Sequence, residues 1–133
     1  MKRVLAYLWA APVSAAALPA LPLALATGGS VRVVDGVLEI CGGALSALLS
    51  RGLPGFPISA ITLGHVVLAA DTGAHARCRS HERVHVRQYE RWGLFFPLLY
   101  LASSAVALFS GGSVYRDNVF ERAAFREEEI CLA

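Results

Sequence analysis

The chain opens on an apolar run, residues 4–26, placed directly after Lys2 and Arg3. About 20 apolar residues suffice to cross a bilayer as a helix. Pro12, Pro19 and Pro22 are better tolerated in such a helix than in one surrounded by water. The run exceeds the ~7–15 residues of a signal-peptide core, so residues 1–26 are read as an N-terminal transmembrane anchor. The alternative is a signal peptide with Ala24-Leu25-Ala26 as its small-residue cleavage site. The basic start places the rest of the chain outside the cytoplasm, whereas the arginines at 77–91 argue the other way, so orientation stays open.

From residue 30 the apolar period shortens. Val31, Val33 and Val34, then Asp35-Gly36, then Val37, Leu38 and Ile40 predict two short strands around a tight turn, because Asp-Gly supplies positive-φ backbone. Gly42-Gly43 breaks the pattern, residues 44–50 predict a short apolar helix stopped by Gly52, and residues 53–57 predict a loop. Residues 58–70, with β-branched Ile61, Thr62, Val66 and Val67, predict one strand. His65 within it reads as an ordinary core or sheet-face residue, since no second ligand stands at a matching spacing.

Residues 72–92 predict one long helix: Asp71 and Thr72 suit its start, Gly93 its end, and no proline interrupts it. Residues 94–109 form a second apolar run, slightly short of the ~17–25 residues of a full span. Extended to Trp92 and Val114 it becomes long enough, with Trp92 and Tyr115 as interfacial anchors. Gly111-Gly112 predicts a turn, and residues 117–130 a charged helix ending in an acidic run. A small sheet followed by a long helix and apolar helices is an α+β pattern, with residues 27–133 as one minimal domain.

Composition sharpens the membrane reading. The 133 residues suffice for one domain. They are 56% hydrophobic with a mean hydropathy of +0.53. Only 17% are charged, against about 25% in soluble domains. A net charge of +2, and arginines not interleaved with aromatic residues, argue against nucleic acid. The three cysteines, Cys41, Cys78 and Cys131, match no disulfide or zinc-knuckle spacing and read as small buried thiols. Cys78 stands three residues before His81 and is the one placed to compete as a ligand or respond to redox state.

The chemistry concentrates in the 72–92 helix. His81 and His85 lie one turn apart on one face, and Glu82 sits beside them. This is the H-E-x-x-H arrangement, two zinc ligands and a general base. A charged, solvated helix face with two incidental histidines is the plainer alternative. A catalytic zinc site needs a third protein ligand. Asp117, Glu121 and residues 127–129 are the downstream candidates. Glu121 is the best placed, in a helical stretch with small Ala123 and Ala124 nearby and Asn118 one turn before it as supporting hydrogen-bond partner.

His81-Glu82-x-x-His85 followed by Asn118-x-x-Glu121-x-x-Ala124 resembles the gluzincin clan of zinc metallopeptidases, in particular its membrane-integrated members and the very short minigluzincins. The likeness covers roughly residues 58–125 and is specific at the two motifs. It implies a zincin-like fold, Zn2+ held by His81, His85 and Glu121, and Glu82 as the catalytic base. In that type of enzyme an edge strand holds an extended substrate, and residues 58–70 are the candidate here. The chain departs from the pattern at Phe125, where the membrane peptidases usually carry Asp, and in being far shorter. The expected activity is hydrolysis of a peptide or membrane-protein substrate at a bilayer, a bacterial inner membrane, with Tyr89, Tyr115 or Arg126 as oxyanion donor. The alternative is a non-catalytic small membrane protein, either a structural metal site or a pseudo-peptidase interaction module. A shared site also sets a geometric condition: 94–109 must be re-entrant or in-plane, or the site must lie at membrane depth, because a simple span would separate His85 from Glu121.

Overall fold

The computed structural model describes residues 2–52 and 58–132; the loop expected at 53–57 lies outside the described residues. The fold is α+β, and its elements run α1 (Lys2–Ala17), α2 (Ala20–Ala26), β1 (Ser30–Val34), β2 (Val37–Cys41), α3 (Ala44–Arg51), β3 (Ala60–Leu63), β4 (Val66–Ala69), α4 (Thr72–Trp92), a 3-10 turn (Gly93–Phe95), α5 (Phe96–Phe109) and α6 (Val119–Leu132).

The four strands form one sheet in the order β1-β2-β4-β3. β1 and β2 pair antiparallel through Asp35-Gly36. Both turn residues have positive φ, as a two-residue hairpin needs. β2 pairs with β4 in parallel, and β4 with β3 antiparallel. The single strand expected over 58–70 is therefore a hairpin. Gly64, at positive φ, turns the chain, and His65 sits in the turn rather than on a strand. A Cβ on Gly64 would lie 2.9 Å from the Ala10 carbonyl of α1, so glycine is required there for packing as well as for φ.

Side-chain alternation gives the sheet two covered faces. Ile40, Val66 and Leu68 pack with Ala17, Ala24, Leu45 and Leu49 from the N-terminal helices and α3. Val37 and Val67, on the other face, meet Val86 of α4. The apolar N-terminal run is two helices bent by 46°. It is tied to the sheet along its length: Tyr7 donates from its hydroxyl to Gly36 O (2.7 Å), and Ser14 Oγ accepts from His65 N (2.9 Å). His65 itself is buried, stacked on Tyr7 with ring centroids 4.0 Å apart and paired with Glu90 at 3.0 Å.

α4 begins and ends where its caps stand. Asp71 accepts from Ala74 N at 2.7 Å, and Gly93, at positive φ, ends it. After α5 the chain reverses at Gly111-Gly112 and returns alongside α5. Ser104 Oγ donates to Val114 O (2.8 Å), and Ser103 Oγ accepts from Val119 N (3.0 Å). α6 therefore starts level with the middle of α5 and runs back against α4. The helical run Thr72–Phe109 is long and apolar enough to cross a membrane, and 17% of its apolar window is buried.

Candidate metal centre

α4 has two working faces. The first is fixed to the sheet. Glu39 of β2, only 1% exposed, accepts from His75 Nε2 (2.9 Å), Arg79 Nη2 (2.9 Å) and Arg83 Nη2 (2.7 Å). Those three donors are spaced four residues apart and so line one helix face. Burial alone would raise the Glu39 carboxyl, but the hydrogen bond and charge of His75, then Arg79, hold it below the usual carboxylate range. Two strands away on the same row of the sheet, Thr62 donates to Glu82 Oε2 at 2.6 Å. The motif helix is thus gripped at two points, and its roll about its own axis is set.

That roll points the second face at α5 and α6. His81 Nε2 lies 2.9 Å from Glu121 Oε2 and 3.2 Å from His85 Nε2, and His85 Nε2 lies 3.4 Å from Glu121 Oε1. All three residues are buried, and their potential ligand atoms lie within 4.8 Å of one another. Among the described residues this is the one group of three or more His, Cys, Asp or Glu side chains so placed.

The outer nitrogens of both rings face oxygen. His85 Nδ1 lies 2.8 Å from Gln88 Oε1, and the Gln88 amide is oriented by donating to Phe120 O at 3.1 Å. With its proton on Nδ1, bonded to Gln88, His85 would be able to offer the Nε2 lone pair to a metal ion. His81 Nδ1 faces Glu128 Oε2 at 3.4 Å. Tyr100 donates to Glu121 Oε1. Burial would raise the Glu121 carboxyl, yet hydrogen bonds from His81 and His85, the charge of His85 and the Tyr100 hydroxyl bring it down to about 2. Burial would depress His85, but Glu121, Glu82 and Gln88 raise it above its ordinary value. Phe125 packs edge-on to His81 at 4.9 Å, and Phe96 and Tyr100 lie 6.2 and 6.4 Å from His85, so the walls are largely aromatic.

Of the residues expected at the site, His81, His85 and Glu121 come together; Glu82 is hydrogen-bonded to Thr62 of the sheet and lies near enough for its charge to act on His85. Asn118 does not touch the cluster as expected. Its Oδ1 accepts from Phe120 N (2.9 Å), and its Nδ2 donates to Tyr100 O (3.0 Å) and Ser104 Oγ (2.8 Å). It starts α6 and pins that helix to α5. Tyr89 is buried among Ala10 and Phe96 as a core residue. Arg126 lies outside the cluster, because helical pitch carries it off the face of α6 that presents Glu121. Tyr115 packs on Phe125 at 5.5 Å; burial, then the nearby Glu121, raise its hydroxyl. Cys78 is half-buried and outside the cluster. Burial, then Glu82 and Glu128, raise its thiol and keep it protonated.

Sequence reasoning missed Tyr100, Thr62, Gln88 and Glu39. Tyr100 had a signal: with Ser103 and Ser104 it makes a polar stripe inside an apolar run. Glu39 had another, a histidine and two arginines at four-residue intervals on α4 needing a buried acceptor. The chain matches no protein-family model, no curated protein and no solved structure. What defines it is therefore its own architecture, an α+β fold with a buried His-His-Glu cluster that suits a metal ion.

Proposed function

We propose that the protein is a membrane-associated, zinc-dependent metallopeptidase of the gluzincin type. The observation that carries this reading is the meeting of Glu121 with His81 and His85 across 40 residues of chain, with Glu82 adjacent and held by Thr62. The donor set fits zinc. Two imidazoles and a carboxylate leave a fourth position, as catalytic zinc sites do. Atoms each about 2.0–2.1 Å from a tetrahedral ion lie about 3.3–3.4 Å apart, and the observed separations are 2.9, 3.2 and 3.4 Å. Zinc bound there would supply Lewis acidity toward a peptide carbonyl and a water acidic near neutral pH.

The chain's own residues supply the rest. Glu82 accepts the proton of the attacking water and returns it to the leaving amine. Thr62 fixes the carboxylate for that task through its hydrogen bond to Oε2. Gln88 and Glu128 hold the two rings with Nε2 toward the metal. Of the expected donors for the developing oxyanion, Tyr115 is the one favoured, because it packs on Phe125, which in turn packs on His81. β3 is an edge strand beside α4, paired on one side only among the described residues, and its other side would take main-chain hydrogen bonds from an extended peptide. The apolar window within the helical run Thr72–Phe109 supports the membrane association.

The test is zinc content of the purified chain beside His81→Ala, Glu121→Ala and Glu82→Gln. One zinc per chain is expected, lost in the first two and kept in the third, with hydrolysis of a peptide library abolished in all three. Burial of all three ligands is also what a structural site shows. Zinc with no turnover on any peptide would assign the site to structure or partner binding. Full activity in Glu82→Gln would refute the assignment of the base.

A further inference from the structure

We propose that α1, the 3-10 turn and α5 form one docking face that lies in the plane of a single bilayer leaflet, so that the chain sits on one side of the membrane without crossing it. The proposal stands whether or not the site binds zinc.

The first observation is that both helices are inside-out by the standard of a water-soluble protein. Beyond Phe96 at its start, which is buried in the core, α5 turns Tyr100, Ser103, Ser104 and Ala107 toward the protein, and α1 turns Ala10, Ser14 and Ala17 inward. Large apolar side chains point out: Leu5, Leu8, Leu98, Leu101, Leu108 and Phe109 are each more than half exposed. Small and polar inside with large and apolar outside is the pattern lipid selects, because lipid gives no reward for hiding leucine. Trp9 of α1 meets Phe95 of the turn, with ring centroids 6.1 Å apart, so the two helices present a joined surface.

The second observation is charge. No Asp, Glu, Lys or Arg occurs between Arg3 and Arg32 or between Trp92 and Arg116. The charged residues that bound these silent stretches are basic, Arg3, Arg32, Arg91 and Arg116, with Lys2 beside the first and Glu90 and Asp117 one position further out at the last two. An apolar face with a basic margin is complementary to an anionic leaflet, acyl chains beneath phosphate. A second copy of this chain would offer the same basic margin and be repelled.

The third observation argues against a span. α5 by itself has 14 residues and is about 21 Å long, short of the ~30 Å hydrocarbon layer; the run Thr72–Phe109 reaches a spanning length only by drawing on residues outside α5. Its far end is not apolar: Asp117 Oδ2 accepts from Ser113 N at 2.7 Å just beyond Gly111-Gly112. A carboxylate there is costly in mid-bilayer and ordinary at the interface. α1 cannot stand upright either, because Tyr7 is bonded to Gly36 and Ser14 to His65 at its two levels, and crossing would drag the sheet into lipid. Both helices therefore lie flat. If the metallopeptidase reading also holds, the cluster sits behind α5, about one helix diameter (~10 Å) from the bilayer surface, where a membrane protein's emerging segment would reach it.

The experiment uses the full-length chain reconstituted with vesicles of phosphatidylcholine and phosphatidylglycerol. A background lacking Cys41, Cys78 and Cys131 receives single cysteines as Lys2→Cys, Trp92→Cys and Ser110→Cys. All three are expected to react with a membrane-impermeant maleimide from the same side of sealed vesicles. The Leu98→Glu/Leu101→Glu variant should lose vesicle flotation at least tenfold while keeping its melting transition. Arg91→Gln should weaken flotation about fivefold on anionic vesicles and not on neutral ones. Ser110→Cys reacting from the side opposite Trp92→Cys would establish a span and overturn the proposal. So would a wild-type chain that stays out of vesicles as a dimer dispersed by Leu98→Glu/Leu101→Glu. Both readouts are independent of zinc content and hydrolysis.

Discussion

Thr62, on the edge strand β3, donates a 2.6 Å hydrogen bond to Oε2 of Glu82, and both side chains are buried. A free carboxylate on a helix would turn among several rotamers; this one is held by a hydroxyl from a different element. If Glu82 is the base, Thr62→Val should keep zinc and lower kcat/KM about tenfold or more, the usual cost of losing a supporting partner. Thr62→Ser should recover most of it. Equal activity in wild type and Thr62→Val, measured on one peptide substrate, would separate this contact from catalysis.

Gln88 fixes the His85 tautomer from the far side of the ring. If the cluster binds zinc as proposed, Gln88→Ala should weaken that binding about 10–100-fold without unfolding the chain. Competition with a chromogenic chelator would read this out. An unchanged affinity would mean that the ring is held by its aromatic neighbours alone.

Tyr100 shares Glu121 with the two histidines. Tyr100→Phe keeps the ring that packs against Phe96 and His85 and removes only the hydroxyl. Zinc affinity should fall within the same range of about 10–100-fold, while the melting temperature shifts by a few degrees at most. A larger thermal loss than affinity loss would reassign Tyr100 to packing.

Glu39 binds α4 to the sheet, and its pH dependence has a definite sign. Its folded pKa lies below its ordinary value. Its contribution is therefore complete above the unfolded pKa of about 4.5 and is lost as pH falls through the lower, folded value. Melting temperatures followed from about pH 7 down to about pH 3 should fall more steeply in the wild type than in Glu39→Gln. At neutral pH Glu39→Gln should itself be destabilised by about 3–5 kcal/mol, because Arg79, Arg83 and His75 lose their shared counter-charge. Parallel acid profiles would exclude Glu39 as the acid-labile tether.

Asn118→Ala removes the bond to Phe120 N and both bonds to α5. The loss at a helix start is about 1 kcal/mol, and α6 should loosen before the rest of the chain. Hydrogen exchange along α6, with faster exchange near Phe120 and Glu121 and little change in β2 or β4, would show it.

Local chemistry was legible from residues alone. Thr72–Trp92 was readable to the residue, because Asp71 and Gly93 carry capping chemistry and nothing between them breaks a helix. The β1-β2 hairpin was readable from Asp35-Gly36 for the same kind of reason. The pairing of His81 with His85 follows from helical pitch. All of these are set within a few residues of chain, where steric and capping preferences decide. The turn at Gly64 was not readable, because its glycine answers to Ala10 and Ser14, far away in the sequence.

Only the tertiary structure decided the remainder. The parallel pairing of β2 with β4, the distances that join Glu121 to His81 and His85, and the reversal that returns α6 to α4 all depend on contacts between distant elements. Glu39 and Tyr100 have ordinary sequence surroundings and acquire their roles from what is packed against them. A buried carboxylate must find donors wherever the fold provides them, and the sequence order of those donors carries no record of the meeting.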